Sequence, residues 1–549
     1  MRVWSVRRSR TMPMMVAGAL LLTACGNGDG EADGDDDGAV EDVDEAAEPE
    51  GDDVIRVALD SDVDLLEPHF FRTDAAYTVT GNVYEPLIQQ QFEETDGFLN
   101  GTDEYEGALA ESWEVSDDGL EATFTLREDA AFDDGTPITA DDLKYVFQRA
   151  IEGPGYITAL MPFIGVSDAD QIEVVDDQTL RFEPEFESPL FERFMTFQVF
   201  GAMNMEVAEE EGTDDDPWAT EYFTNEVTAS GPYTVGSFER GRQVVLEPNP
   251  NYHSPDELNN DGVVMRTVPN AEERALLLRS GELDVADGLP PRTVRELEES
   301  GELTVHQIPS SRISYLGMNN SMEPFDDVRV RQAISKAVPY EAIREQVMHG
   351  YASPAYGPVP PAMESHVGDE HWDYDTDIEG AQQLLEEAGV TDLSTEIGVR
   401  QSSAEDVEAA VFVQDSLRQI GIDVEVNQLA DGDFNERLEG GEMPMFFHDW
   451  FSWGEDPFFQ MQFLLQSESF TNYARFDNEE LDALIEEGTF ETDEQRRNEI
   501  AAEAQELVIE EAPWAFLYSA DYLVVTQDDI SGVTRPYDQV MRFSHLTRE

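Results

Sequence analysis

The chain has 549 residues, with 120 Asp+Glu against 32 Lys+Arg and a formal net charge of −88. A polyphosphate needs a basic footprint, so this balance excludes nucleic acid as a partner, and it disfavours an anionic membrane surface in the same way. With 40% hydrophobic and 10% aromatic residues the chain can fold despite its charge, and its length calls for two or three domains.

The first elements read as an address. Met1 to Arg10 carries Arg2, Arg7, Arg8 and Arg10 without an acid, and an apolar run from Met12 to Leu22 follows. This is the pattern of a secretory signal, too short for a permanent span, and it predicts a signal peptide over residues 1–24. Residues Leu22-Thr23-Ala24-Cys25 resemble a bacterial lipobox, in which the Cys25 thiol receives the lipid; the alternative is a plain signal with an incidental cysteine. Cys25 is the single cysteine, so no disulfide framework is available. The Arg7-Arg8 pair sits among residues that fit a twin-arginine signal poorly.

Residues 26–53 hold 14 acids and no Lys or Arg, which predicts an extended, self-repelling tether behind Cys25. Residues 54–549 keep 106 acidic against 28 basic side chains, a net −78, so the acidity belongs to the body. The chain has two lysines, Lys144 and Lys336. High acid with almost no Lys suits a protein adapted to salt, where screening relaxes self-repulsion; a GC-rich genome that exchanges Lys for Arg is the alternative.

No apolar stretch after Leu22 approaches 18 residues, which predicts a soluble body outside the membrane. A strand is expected at Ala122-Phe124-Leu126 and a turn at Asp134-Gly135. Thr139, with Asp142 three residues on, caps a helix whose Leu143, Val146, Phe147, Ala150 and Ile151 share a face. Val244 to Leu246 reads as a strand. Val330, Ala333, Ile334, Ala337 and Val338 repeat the helical spacing until Pro339. Glu408 to Ile420 reads as a helix stopped by Gly421, and Ile422, Val424 and Val426 alternate as a half-buried strand. Mixed strands and helices without a fixed repeat predict an α/β or α+β assembly.

The stretch Gly107 to Ala150, GALAESWEVSDDGLEATFTLREDAAFDDGTPITADDLKYVFQRA, resembles the signature of the family 5 extracellular solute-binding proteins, the dipeptide and oligopeptide receptors of ABC importers. The resemblance continues in order through VYEPLI (83–88), ASGPYTVGSFERGRQVVLEPNPNY (229–252), LLLRSGELDVADGLP (276–290), PFDDVRVRQAISKAV (324–338), YDTDIEGAQQLLEEAG (374–389) and LDALIEEG (481–488). It implies an α/β, two-lobed periplasmic-binding-protein-like fold with a hinge and an inserted subdomain. By that analogy lobe I takes residues 54–95, 229–310 and 520–549, the inserted subdomain 96–228, and lobe II 311–519. Ligand would sit between the lobes and be enclosed by hinge closure.

The resemblance also implies site residues. Arg400 stands twenty residues before the Ile420-Gly421 pair, where the family's dipeptide receptors place the arginine that grips the peptide carboxylate, a group the guanidinium fork fits bidentately. For the peptide ammonium those receptors carry an aspartate four residues before the proline of a Trp-x-x-Asp-x-x-Asp-Pro segment. Here the segment is Trp450-Phe-Ser-Trp453-Gly-Glu-Asp456-Pro457, with Trp453 in place of the acid. Asp449, Glu455 and Asp456 are candidate substitutes, Trp453 can offer a cation–π contact, and a ligand without a free amino terminus is the alternative. Trp450 and Trp453 are equally readable as core. The segment Phe71-Arg72-Thr73-Asp74-Ala75 matches where family members run main chain beside the ligand, which adds Thr73 and Asp74 to the candidates; Ser230-Gly231-Pro232-Tyr233 reads as a turn.

The expected function is therefore an extracytoplasmic binding lipoprotein, lipid-anchored to the outer face of the cytoplasmic membrane and monomeric, that delivers short peptides to the permease and ATPase subunits of an ABC importer. No cofactor, metal or catalytic residue is expected. A receptor for a nickel complex or an oligosaccharide is the runner-up, with His448 beside Asp449 as its one hint. A secreted hydrolase or an adhesion protein stands further off, since no GxSxG, HExxH or P-loop pattern is present.

Overall fold

Apolar, β-branched runs assemble two large mixed sheets in the computed structural model, which describes residues 49, 51–70, 73–155 and 157–549. The signal, Cys25, most of the acidic stretch, Phe71 and Arg72 lie outside the described residues. The first sheet has seven strands in the order Thr304–Ile308, Tyr522–Thr526, Val285–Ala286, Ile55–Leu59, Val263–Thr267, Gln243–Pro248 and Tyr233–Glu239. Its Ile55–Leu59 strand runs parallel to both neighbours, and its unbroken apolar sequence matches burial at four of five positions. The second sheet orders six strands as Ala352–Ser353, Trp514–Ala520, Arg312–Met318, Met445–Phe451, Leu393–Arg400 and Ile422–Leu429. Leu393–Arg400 is parallel to the two strands beside it.

A smaller antiparallel sheet joins Ala110–Val115, Ala122–Leu126, Thr179–Phe182 and Ile172–Asp176. The helix Ala140–Glu152 packs on it through Leu143, Val146, Phe147 and Ala150, with the Phe147 and Phe182 rings edge to face at 4.9 Å. The Asp142 carboxylate accepts from the Thr139 N–H at 2.9 Å and from its hydroxyl at 2.7 Å, fixing the first turn. One turn before its end the helix turns Arg149 into the core, where the guanidinium forms a fully buried pair with Glu67, one bond being 2.8 Å from Nη1 to Oε1.

Helix Val328–Ala337 starts on the Asp327 cap and stops before Val338-Pro339, and Val330, Ala333, Ile334 and Ala337 form its buried stripe. Helix Ala404–Gln419 begins four residues earlier than the apolar spacing indicates, because Ser403 caps a polar first turn by accepting from the Asp406 N–H at 3.2 Å. Its stop at Gly421 uses a φ of +86°, a left-handed conformation glycine adopts without strain.

The chain passes between the two large sheets at Pro309–Ser311 and again at Ala520-Asp521. The crossings lie side by side: the Ser310 hydroxyl donates to the Ala520 carbonyl at 2.6 Å, and the Ser519 hydroxyl donates to the Arg312 carbonyl at 2.9 Å. Two adjacent crossings of this kind are what a two-lobed α/β hinge requires.

Candidate functional site

In parallel α/β sheets a ligand meets the carboxyl ends of the strands, where connections diverge. Both large sheets send charged groups from such ends toward the crossings. Asp60 follows Ile55–Leu59 and Asp287 follows Val285–Ala286, two neighbouring parallel strands. Tyr522, immediately after the second crossing, donates its hydroxyl to Asp287 Oδ2 at 2.8 Å. Burial and the nearby Asp60 charge push the Asp287 carboxyl up to about 6. Asp74 opens the helix Asp74–Val83, and burial raises it too, with Arg312 opposing and Asp60 and Asp449 reinforcing the shift.

The six-stranded sheet answers with a mixed set. Arg400 ends Leu393–Arg400, and the helix that follows brings Asp406 to its own first turn. Burial, then the Asp449 charge, push Asp406 up to about 7. His448 and Asp449 lie on Met445–Phe451; burial drives the His448 imidazole down to about 4, so the ring is neutral, and the Tyr315 hydroxyl stands 3.3 Å from its Nδ1. Burial acts upward on Asp449, yet the ion-paired Arg312 guanidinium keeps it below the usual carboxylate range. Asp60 and Asp74 open onto solvent, and Asp287, Arg312, Asp406 and Asp449 are half-buried, so the group lines a walled crevice and not a core. Five carboxylates thus face three guanidiniums: Arg312, Arg400 and Arg274, whose charge acts on Asp60 and Asp287 while its N–H groups donate to the Val268 and Gly288 carbonyls, each at 2.7 Å.

Arg400 is the cation left available. Its guanidinium lies 4.3 Å over the Phe434 ring and donates to Asn435 Oδ1 at 2.8 Å, but it forms no ion pair among the described residues. Ring and amide hold the fork in place without neutralising it.

The other expected positions separate. Trp453 stacks on Tyr77 of the helix Asp74–Val83 with ring centroids 6.1 Å apart, and on its other flank meets Phe451 at 6.3 Å. Trp450 stacks on Phe463 at 5.9 Å beside an apolar cluster, and its buried Nε1–H has no hydrogen-bond partner among the described residues. Thr73 caps the helix, accepting from the Ala76 N–H at 3.2 Å and donating to the Asp62 carbonyl at 3.1 Å.

Two candidates for the ammonium are committed elsewhere. Glu455 is buried against Arg535, which donates from Nη1 to Oε2 at 3.1 Å, and burial pushes its carboxyl up to about 7. Asp456 caps the helix Pro457–Leu464, accepting from the N–H groups of Phe458 at 3.0 Å and Phe459 at 2.9 Å, and pairs with Arg497 at 2.6 Å. Both acids hold the loop after Met445–Phe451 in shape; of the three proposed substitutes, Asp449 is the one in the crevice. Sequence reasoning did not single out Asp60, Asp287, Arg312, Asp406 or Tyr522. The available signal was position: Asp60 and Asp287 each end an apolar strand run, VAL-Asp60 and VA-Asp287.

The profile of the bacterial extracellular solute-binding proteins, family 5, matches residues 104–472. The probable D,D-dipeptide-binding periplasmic protein DdpA of Escherichia coli is 29% identical over 87% of this chain and 91% of its own length. Heme-binding protein A of Haemophilus influenzae is 28% identical over 80% of this chain and 83% of its own. The structure of the ABC transporter-associated periplasmic binding protein DppA from Helicobacter pylori, in complex with the peptide STSA, superposes with a TM-score of 0.77 at 26% identity, covering 90% of this chain and 98% of that one. The chain belongs to the family 5 extracellular solute-binding proteins, two-lobed α/β receptors that act outside the cytoplasm.

Proposed function

We propose that this family 5 solute-binding protein captures short peptides in the crevice between its two large sheets and delivers them to the membrane subunits of an ABC importer. The observation that carries this reading is Arg400: a guanidinium that forms no ion pair among the described residues, at the carboxyl end of a parallel strand, beside the Asp406 and Asp449 carboxylates. A peptide is a zwitterion, and the crevice offers a cation for its carboxylate and Asp74, Asp287 and Asp449 for its ammonium. Relatives named for D,D-dipeptides and for a bound tetrapeptide support the ligand class.

The lobes we assign are residues 54–95, 229–310 and 520–549 for the first, 311–519 for the second, and 96–228 for the inserted subdomain. The chain would be tethered as a monomeric lipoprotein through Cys25, with no chemistry of its own. A second reading, a solute lacking a free α-amino group at the usual position, is favoured by Trp453, which brings an aromatic surface where the family's dipeptide receptors carry an acid.

Ligand that binds the closed form stabilises it by mass action. A thermal-shift screen of di- to pentapeptides, their C-terminal amides, nickel complexes and oligosaccharides tests the assignment. A shift with free-carboxylate peptides is the expected result; a shift with none of the peptides removes the peptide reading.

A further inference from the structure

Away from the crevice, a cavity of about 400 Å³ opens beside the helix Tyr340–Gln346, a volume in the range of small-molecule sites. None of the crevice residues lines it. Three aromatic rings form a wall: Trp372 meets Tyr340 at 5.4 Å and Tyr356 at 5.7 Å between centroids, with planes inclined at 74° and 64°. Arg344, Glu341 and Asp375 complete the lining. Among the described residues no hydrogen bond or ion pair engages the Arg344 guanidinium, although Glu341 and Asp375 line the same cavity. Among the described residues the Tyr356 hydroxyl and the Trp372 Nε1–H also have no hydrogen-bond partner.

These groups ask for one kind of ligand. A simple anion meets the two carboxylates, and a simple cation meets the guanidinium, so each leaves part of the lining opposed. A small zwitterion satisfies both. We infer that this cavity is a second binding site, for a free amino acid with an apolar or aromatic side chain: Arg344 takes the carboxylate as a fork, Glu341 and Asp375 take the ammonium, and the aromatic wall takes the side chain. The site is independent of the peptide crevice and does not rest on it.

The test is calorimetric titration of the full chain with L-phenylalanine and L-leucine, beside the variants Arg344→Ala and Arg400→Ala. Binding should saturate at one site, survive Arg400→Ala, and weaken about tenfold or more in Arg344→Ala, the loss of a charged hydrogen-bonding pair. Because the Arg344 guanidinium has no hydrogen-bond or ion-pair partner among the described residues, its removal should leave the melting temperature unchanged, so loss of binding is not loss of fold. N-acetyl-L-phenylalanine, which keeps the carboxylate but lacks the ammonium, should bind about tenfold more weakly. The proposal is overturned by no saturable binding of either amino acid, by equal binding in Arg344→Ala, by equal binding of the acetylated compound, or by loss of binding in Arg400→Ala, which would place the amino acid in the crevice.

Discussion

The indole of Trp453 lies stacked on the ring of Tyr77, with centroids 6.1 Å apart and planes inclined at 30°. Tyr77 belongs to the first turn of the helix Asp74–Val83 beside the seven-stranded sheet, and Trp453 to the loop leaving the six-stranded one, so the contact bridges the walls of the crevice. An aromatic pair of this kind contributes about 0.5–1.5 kcal/mol beyond its buried area. If closure carries the binding energy, Trp453→Ala should weaken every ligand by about twofold to tenfold, whatever its charge. Trp453→Asp should instead tighten binding of dipeptides with a free amino terminus relative to acetylated ones. Calorimetry on the two variants reads both effects, and a charge-selective loss in Trp453→Ala would assign the indole to the ammonium directly.

Arg400 makes the second prediction. Its partners inside the protein are a ring face and an amide oxygen, so Arg400→Ala should cost the fold little. A free carboxylate facing that fork gains a charged hydrogen bond of about 1.5–3 kcal/mol, so affinity for free-carboxylate peptides should fall roughly tenfold to hundredfold. The corresponding C-terminal amides should lose far less. Equal losses for acid and amide would remove the anchor role.

Much of this was legible before any coordinates, and the rest was hidden for physical reasons. Helix caps such as Thr139 with Asp142 are local, so three residues suffice to read them. Arg400 became a candidate through resemblance alone. Glu455 and Asp456 were indistinguishable from Asp449 by sequence, because what separates them is an arginine far along the chain: Arg535 holds Glu455 and Arg497 holds Asp456, while Asp449 meets Arg312 in the crevice. The acids after Ile55–Leu59 and Val285–Ala286 were hidden in a different way. Among 120 acids, only the parallel pairing of their strands gives Asp60 and Asp287 a common direction.

The crevice carboxyls also set a pH dependence. Asp287 titrates near 6 and Asp406 near 7, both above the ordinary aspartate value of about 3.9. The folded, empty protein therefore binds protons more tightly than the unfolded chain, and its stability should fall as pH rises from about 4 to about 7. A cationic ligand needs the ionised carboxylates, so its affinity should rise over the upper part of the same window, with protons released on binding. Calorimetry between pH 5 and 8 in buffers of different ionisation enthalpy separates these quantities. Affinity for a lysine-containing peptide that falls toward pH 8 would reverse the sign and exclude the carboxylates as its seat.

The Glu67–Arg149 pair predicts a stability effect that needs no ligand. Both side chains are fully buried, and Glu67 Oε1 also accepts from the His69 N–H at 2.8 Å. Removing one partner strands a buried charge, so Arg149→Met should destabilise by about 3–5 kcal/mol. The double variant Glu67→Leu with Arg149→Met should cost less than the two single changes together, a coupling that denaturant melts in a double-mutant cycle measure directly. Additive losses would mean that the pair acts through packing alone.

Salt gives the last prediction. Charge in residues 54–549 is 106 acidic to 28 basic, so acid–acid repulsions greatly outnumber the attractive pairs. Exposed pairs such as Arg292–Glu296 and Arg418–Asp415 contribute about 0–1 kcal/mol each, and added salt weakens them as well. The sign of the net effect is set by the excess. Raising NaCl from about 0.1 M to 1 M shortens the screening length from about 10 Å to about 3 Å, which removes most repulsion between exposed carboxylates while touching buried pairs such as Glu67–Arg149 far less. The melting temperature should therefore climb with NaCl and level off near molar concentration. A flat or falling curve would show that each surplus carboxylate already sits far enough from its neighbours to need no screening, and the acidity would then owe nothing to salt.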